Sequence, residues 1–547
     1  MSDTIPAGDL VARFFEEACV GAAFGVISIH NMPMLDAIGR RNRIRFVAAR
    51  TEAGAVNMAD AYARAAGGVG LAFSSTGTAA GNTCGALVEA QTAQSPVVHV
   101  TGQIERNWLD RDSGYIHEAR DQLAMLRAVC KGAWRVQAPE MLLPTLKEAV
   151  RVALTPPMGP VSVEIPIDVQ EGDAPLPPDF APLPVAAPAP ADAAVDALAD
   201  ALSRARRPML WLGGGALGAG AAARRLADLG FGIVTSVHGR GIVAEDHPRT
   251  LGSFNVVPAA EALYAGCDAM VVAGSRLRSN ETLKYMLRLP QPLYRIDADP
   301  AQENKPYPAA RFVCADAALT LDRLADCLAG RMRTDAAFGA DIAAARQAAE
   351  AALRRQLGPY EKLVDALAET FPADAAWVRD ITVSNTAWGN RLPVLRAPGR
   401  GIHALGGGIG QGLPMAIGAA LGAPGRPVVA LAGDGGLAVS LGELATLAQE
   451  GLDVVLIVMN DGGYGVIKNI QDDRFGGRHY FADLKTPDLA GLARGLGIDH
   501  CKVAAADDFL PVLRGALAAR GPRIVEVDMT AVGPFAQRFA GPPVRKG

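Results

Sequence analysis

Two short polar clusters hold the residue types that could do chemistry here. The apolar run Pro427-Val428-Val429-Ala430-Leu431-Ala432 ends in Gly433-Asp434-Gly435-Gly436. About two dozen residues on, Val454-Val455-Leu456-Ile457-Val458-Met459 ends in Asn460-Asp461-Gly462-Gly463-Tyr464-Gly465. Two carboxylates, Asp434 and Asp461, plus a free backbone carbonyl in a glycine-rich turn make a hard-oxygen donor set suited to Mg²⁺. The Gly-Gly turn exposes amide groups ahead of a helix N-terminus, a ready anion site. A metal beside an anion site implies a diphosphate. Taken singly, each cluster is a common tight turn. The pair, each at the end of an apolar run, is much more specific.

Such clusters work only where strands and helices hold them. Both sit at the carboxyl ends of strands joined by one helix, where open α/β sheets bind ligands. Similar apolar runs recur along the chain. The first part predicts strands at Phe24–Ile29, Arg45–Ala49, Gly70–Ser74 and Pro96–Thr101, each followed by a helix. The middle predicts Met209–Leu212 with a glycine-rich turn after it, then Gly232–Ser236, Ala269–Ala273 and Leu293–Ile296. The last part predicts Ala376–Asp380, Pro427–Ala432, Val454–Met459 and Arg523–Val527. Apolar strands separated by helices indicate an α/β protein of three doubly wound parallel-sheet domains. Proline-rich residues 171–190 read as an extended linker. Residues 330–356, rich in Ala, Arg, Gln and Glu, read as a solvated connecting helix. The expected units are therefore 1–170, 191–329 and 357–547, the last with a C-terminal tail.

The chain has 547 residues, half of them hydrophobic, and can bury large cores. Its 53 basic and 57 acidic residues leave a net charge of −4 without long like-charge blocks. That argues against nucleic acid or an anionic membrane as the main partner. No apolar stretch reaches membrane-span length, and the first residues lack the order of a secretory signal. The seven cysteines are scattered, with no Cys-x-x-Cys, which predicts unpaired thiols in a reducing cytoplasm.

The paired clusters resemble the signature of the thiamine diphosphate enzymes of the acetolactate synthase, benzoylformate decarboxylase and pyruvate decarboxylase type. That signature is Gly-Asp-Gly, about two dozen residues, then Asn-Asn. The resemblance covers nearly the whole chain and implies the domain order pyrimidine-binding, central, diphosphate-binding. It implies thiamine diphosphate held through Mg²⁺ by Asp434, Asp461 and the Gly463 carbonyl. The second Asn of the signature is Asp461 here, which adds a negative charge. Gly435, Gly436, Tyr464 and Gly465 fall among the cofactor contacts. Arg50-Thr51-Glu52-Ala53-Gly54-Ala55 matches the segment whose glutamate bonds the aminopyrimidine ring, so Glu52 is the implied acid that activates the cofactor, buried and raised in pKa. A helix N-terminal acid is the plainer alternative for Glu52. In His403–Pro414, Ile409 resembles the apolar wedge beneath the cofactor, flanked by Gly408 and Gly410, and the Gly408 carbonyl accepts from the 4′-amino group. Thr382 and Ser384 resemble diphosphate contacts, with a helix N-cap as the alternative.

For substrate, Ile29 and His30 lie in the loop that relatives place near the reacting carbon, and benzaldehyde lyase also has a histidine there. His117 and Gln103 fall at pocket positions of acetolactate synthases. Arg276 aligns with an arginine that grips a 2-oxo acid carboxylate, against a surface ion pair. Val466, Ile467 and Ile470 line an apolar pocket. Ile467 stands where pyruvate decarboxylases have an acid, and Ile470 where acetolactate synthases have tryptophan. The implied activity is decarboxylation of a 2-oxo acid with carboligation to a second carbonyl, as in acetolactate synthases. The alternatives are benzoylformate-decarboxylase or benzaldehyde-lyase-like chemistry on aryl substrates, a 2-hydroxyacyl-CoA lyase, or a catalytically silent regulatory homologue. The family implies a homodimer or homotetramer with active sites between chains. Gly213–Gly218 could be a nucleotide loop, which leaves FAD in the central domain open.

Overall fold

The computed structural model describes residues 3–539. The last eight residues of the expected C-terminal tail lie outside them. Three parallel sheets with flanking helices follow one another along the chain. The first contains Ala22–Gly25, Arg45–Ala48, Gly70–Ser74, Val97–Gln103, Gly132–Arg135 and Val161–Pro166. The central sheet contains Pro208–Leu212, Gly232–Thr235, Ala269–Ala273, Leu293–Asp297 and Arg311–Cys314. The third contains Ala376–Arg379, Gly401–His403, Val428–Gly433, Val454–Asn460, Asp499–Val503 and Arg523–Asp528. Numbered within each sheet, the strand order is 2-1-3-4-6-5 in the first and third and 2-1-3-4-5 in the centre. Each order reverses beside strand 1, so each sheet has a crevice at the carboxyl ends of strands 1 and 3.

The α/β expectation holds because most strands are apolar and buried throughout, as only a sheet covered on both faces requires. Two first-sheet strands escaped the sequence reading for a physical reason. Val161–Pro166 alternates apolar with polar residues yet is buried throughout. Its polar members find partners inside: Ser162 meets His99 at 2.9 Å and Glu164 pairs with Arg135 at 2.8 Å. The run expected as Phe24–Ile29 stops being strand at Gly25. The Asn31 side chain accepts from the Ser28 N–H and donates to the Val26 carbonyl, folding the segment into a turn.

The segments between sheets also differ from the reading. Asp173–Pro175 pairs antiparallel with Thr4–Pro6, and no helix or strand occurs from there to Asp192. The helix after the central sheet spans Phe338–Leu357 and is not solvated all round. Phe338 and Ile342 enter the central core, while Ala349, Leu353 and Leu357 enter the third.

One contact fixes the first domain on the third. Helices Glu52–Ala66 and Gly412–Gly422 share a core that includes Val56, Met58, Met415 and Ile417. A Cβ at Gly418 would lie 2.0 Å from the Met58 carbonyl oxygen, so any side chain there forces the helices apart. All seven cysteines are free. Among the described residues no helix is long and apolar enough to cross a membrane.

Candidate cofactor site

Strands Val428–Gly433 and Val454–Asn460 are parallel neighbours, with Gly433 opposite Met459, so their carboxyl ends set Asp434 beside Asp461. Asp434 is buried, and its carboxylate accepts the N–H of Asp461 at 3.2 Å and of Gly463 at 2.9 Å. Burial raises the Asp434 pKa. Burial, then the Asp434 charge, push Asp461 up to about 7. Two partly desolvated carboxylates this close favour a divalent cation between them.

Glycines make the cradle. Gly463 has φ +151°, and a Cβ there would meet the Ala482 carbonyl oxygen at 2.2 Å. A Cβ on Gly435 would sit 2.7 Å from the Gly463 oxygen and 2.8 Å from the Tyr464 ring. One on Gly465 would overlap the Asp461 carboxylate. Only glycine lets Asp461 lie against the N-terminus of helix Gly465–Arg474. The Thr382 hydroxyl faces Gly433, 3.0 Å from where a Cβ would be. Ser384 is fully buried with an unpartnered hydroxyl, and the Asn385 side chain beside it is unpartnered as well.

The wedge turn joins the same cluster. Gly410 has φ +80°, and a Cβ on it would touch Val439 at 2.6 Å and the Gly436 oxygen at 3.0 Å. Gly408 packs on the Gln411 amide, and Ile409 projects outward, 39% exposed. Val466 and Ile470 are half-buried and Ile467 exposed on a helix with no buried residue. In one chain the pocket they would line is open.

The sequence reading missed two residues that hold this cluster. The Lys468 ammonium donates to the carbonyls of Asp461 and Gly462 at 3.3 and 3.2 Å and pairs with Asp483 at 2.9 Å, fastening the loop from outside. Asp380 follows strand Ala376–Arg379 and is buried. It accepts the N–H groups of Ile381 at 2.7 Å and Gly410 at 3.0 Å. Its place at the end of the expected strand Ala376–Asp380, two residues before Thr382, was the available signal. Burial raises Asp380 to about 6, against the pull of those N–H groups. Below pH 4 both folded and unfolded chains hold this proton. Between pH 4 and 6 only the folded chain does, so its stability falls as pH rises, by roughly 3 kcal/mol in all. Asp380→Asn lacks this slope. The melting temperature of the variant relative to wild type therefore climbs from pH 4 to 6 and levels off above. A flat difference across that range would show that Asp380 titrates normally.

The first-domain candidates form a separate cluster at the end of their own sheet. Glu52 opens helix Glu52–Ala66 and takes a hydrogen bond from the Asn82 amide at 3.2 Å. It is half-buried rather than buried as expected, since it stands in the first turn of its helix. His30 is buried and lies edge-on to His117, ring centroids 5.2 Å apart. Burial, then His117, lower the His30 pKa, with Glu105 opposing. His30 is thus neutral at pH 7, with Nδ1 unpartnered. Ile29 is 61% exposed beside it. Gln103 does not present its carbonyl to a pocket: Oε1 accepts the Thr76 hydroxyl at 2.8 Å and the Ile104 N–H at 2.9 Å, bracing a turn. Among the described residues no hydrogen bond or ion pair links Glu52, His30 or His117 to the Asp434 cluster.

Arg276 belongs elsewhere. It follows strand Ala269–Ala273 into a cavity of about 590 Å³, shared with Gly214, Gly215, His238, Asp297 and Asp316. None of the residues assigned to metal, wedge or pyrimidine lines that cavity. The central sheet thus directs Arg276 into its own crevice, apart from the residues assigned to the cofactor in the same chain.

Family models agree with this architecture. Those for the N-terminal TPP binding domain, the central domain and the C-terminal TPP binding domain of thiamine pyrophosphate enzymes match residues 5–125, 195–324 and 382–527. The fold and site thus define a thiamine pyrophosphate-dependent enzyme, and the chain belongs to the thiamine pyrophosphate enzyme family. It is 32% identical over 538 residues to a probable 2-ketoarginine decarboxylase of Pseudomonas aeruginosa, covering 96% of this chain and 94% of that protein. It is 26% identical to a probable acetolactate synthase large subunit of Methanocaldococcus jannaschii, covering 95% and 91%. A solved Mycobacterium smegmatis structure, described as a thiamin diphosphate-dependent enzyme, superposes with a TM-score of 0.79 at 25% identity, over 96% and 99% of the two chains. The residues present fit that cofactor, through the paired carboxylates, the glycine cradle and the unpartnered hydroxyl of Ser384.

Proposed function

We propose that this enzyme decarboxylates a 2-oxo acid with thiamine diphosphate and Mg²⁺, and joins the remaining carbon to a second carbonyl. The observation that carries the cofactor half is the pair Asp434 and Asp461 around the Gly463 turn. Bound thiamine diphosphate supplies a carbon nucleophile for a ketone and an electron sink for the loss of CO₂. Asp434, Asp461 and the Gly463 carbonyl would hold the cation that a bound diphosphate needs. Ile409 would support the bound cofactor, and Glu52 would hold a proton for its pyrimidine ring.

The site is shared between two copies of the chain. One chain carries two half-sites on different sheets, each beside exposed apolar side chains: Ile27, Ile29 and Met32 near the first, Ile409, Val439 and Ile467 near the second. A twofold pair would bring Glu52 of one copy to Asp434 of the other and cover both faces.

Ligation is favoured because Ile467 cannot transfer a proton and His30 is neutral and a weak acid. With protonation slow, a second carbonyl captures the carbon. A second reading, decarboxylation with release of an aldehyde, draws on the His30–His117 pair as proton source and on the 2-ketoarginine decarboxylase relative. The buried, unpartnered Glu105 oxygen whose charge reaches His30 suits a cationic side chain in that reading. A panel of 2-oxo acids, with pyruvate and 2-ketoarginine among them, tests both when incubated with and without an aldehyde acceptor. Chiral gas chromatography or mass spectrometry resolves the products. Ligation product should outweigh free aldehyde; mostly aldehyde at every acceptor concentration would sink the ligation reading.

A further inference from the structure

The first and third domains grip each other with buried glutamates at equivalent places in two sheets of the same strand order. Glu443 lies on helix Glu443–Glu450 of the third domain, fully buried. Its carboxylate crosses to the first domain and accepts the Arg50 N–H at 3.2 Å and both the N–H and the hydroxyl of Thr51 at 3.0 Å. The Thr446 hydroxyl donates to it at 2.7 Å. Thr51 is the N-cap of helix Glu52–Ala66 and accepts the Gly54 N–H at 3.0 Å. Glu443 therefore ends one residue from Glu52.

Glu89 repeats the arrangement in the other direction. It is buried on helix Thr78–Ala93 and accepts the N–H groups of Leu405 and Gly406 in the third domain, the latter at 2.7 Å. Those residues lead into the Gly408-Ile409-Gly410 turn. Arg64, paired with Asp60 at 2.6 Å, lies 4.0 Å from Glu89 and donates to the His403 carbonyl at 2.8 Å. Each clamped loop follows the second strand of its sheet, and each glutamate follows the third. A glycine admits each carboxylate: a Cβ on Gly54 would lie 2.2 Å from Glu443 Oε1, and one on Gly406 would lie 2.6 Å from Glu89 Oε2.

We propose that Glu443 is a positioning residue for Glu52, and that Glu89 is its counterpart for the wedge turn. The two carboxylates thus set the register of the pyrimidine-side and wedge-side loops within each chain. The proposal rests on the reading above that Glu52 shares a proton with the pyrimidine. Glu443 offers only acceptors to the donors around it, and charge-assisted bonds of this kind hold geometry tightly. Glu443→Gln replaces one oxygen by an NH₂ that faces N–H groups, so the Arg50-Thr51 loop must shift and carry Glu52 with it. A misplacement of about 1 Å can cost roughly a hundredfold in rate.

The test compares full-length wild type, Glu443→Gln and Glu52→Gln, each with thiamine diphosphate and Mg²⁺. Calorimetric cofactor affinity of Glu443→Gln should stay within about threefold, because its diphosphate ligands are intact. Deuterium exchange at the cofactor C2, followed by NMR, should slow about ten- to a hundredfold. In the cofactor-free chain, amide exchange by mass spectrometry should show residues 50–54 deprotected. A purely structural role would instead lower melting temperature and cofactor affinity while leaving the exchange of bound cofactor unchanged, which overturns the proposal. If Glu52→Gln slows C2 exchange and Glu443→Gln does not, the positioning role is wrong. If neither does, the reading of Glu52 falls and the proposal with it. Should Glu443→Gln not fold, Gly54→Ala decides: it favours the helix but displaces the Glu443 carboxylate. Normal C2 exchange in Gly54→Ala then overturns the proposal.

Discussion

Asp434→Ala protein binds thiamine diphosphate at least about a hundredfold more weakly than wild type in saturating Mg²⁺, and in the absence of metal the two bind it alike. The size follows from two losses at one position. In the proposed site, removing the carboxylate would take away one ligand of the cation, and outer-shell changes alone cost roughly 10–100-fold at metal sites. It also removes the acceptor for the Asp461 and Gly463 N–H groups, so the loop meant to offer the Gly463 carbonyl loses its hold on strand Val428–Gly433. Asp461→Asn is the contrasting variant. It keeps an oxygen donor and relieves the repulsion that, with burial, pushes Asp461 up to about 7. Its cofactor affinity should stay within about tenfold of wild type. Isothermal calorimetry with and without Mg²⁺ measures both. Unaltered cofactor binding by Asp434→Ala would mean that the metal site lies elsewhere.

The half of the site that was legible in sequence is the half built from contiguous segments. Asp434, Gly435, Gly436, Asp461, Gly463 and Gly465 lie in two runs, each marked by an apolar strand before it and glycines within it. Local pattern therefore carried both fold and chemistry there. Residues acting across domains left no such mark. Glu443 reads as one more acid on an amphipathic helix, and only folding shows that it ends on Thr51. Arg276 shows the same limit: its type suits a carboxylate, but the central sheet's topology, invisible in a local window, sets it in a cavity that no residue assigned to metal, wedge or pyrimidine lines. Glu164 and Ser162 hid a strand because their burial depends on partners from other strands. Gln103 was read from its resemblance to a pocket position, and its carbonyl is committed to Thr76 and Ile104 by contacts that no local window shows.

Glu52→Gln should lower both turnover and the exchange of the cofactor C2 proton by roughly 10²–10⁴, the range of a lost general acid/base, while leaving the fold intact. Glu52 is placed for this by local structure that a glutamine also satisfies. It occupies the first turn of helix Glu52–Ala66 behind the Thr51 cap, with an Asn82 amide on Oε2. Glutamine fills the same volume and keeps a carbonyl for Asn82, so neither the helix nor the cofactor pocket should give way. What it cannot do is share a proton with a pyrimidine nitrogen. In the proposed role a carboxyl there would let bound cofactor exchange its C2 proton; an amide would not. The single chain leaves Glu52 half-buried, and enclosure by a second copy would remove the water on its outer face. Loss should therefore fall on C2 exchange and kcat together, with cofactor affinity and melting temperature nearly unchanged. NMR of C2 deuteration, stopped by acid quench, reads the first, and steady-state kinetics the second. Exchange at the wild-type rate would reduce Glu52 to an acid that merely stabilises its helix N-terminus, worth about 0.3–1 kcal/mol of stability.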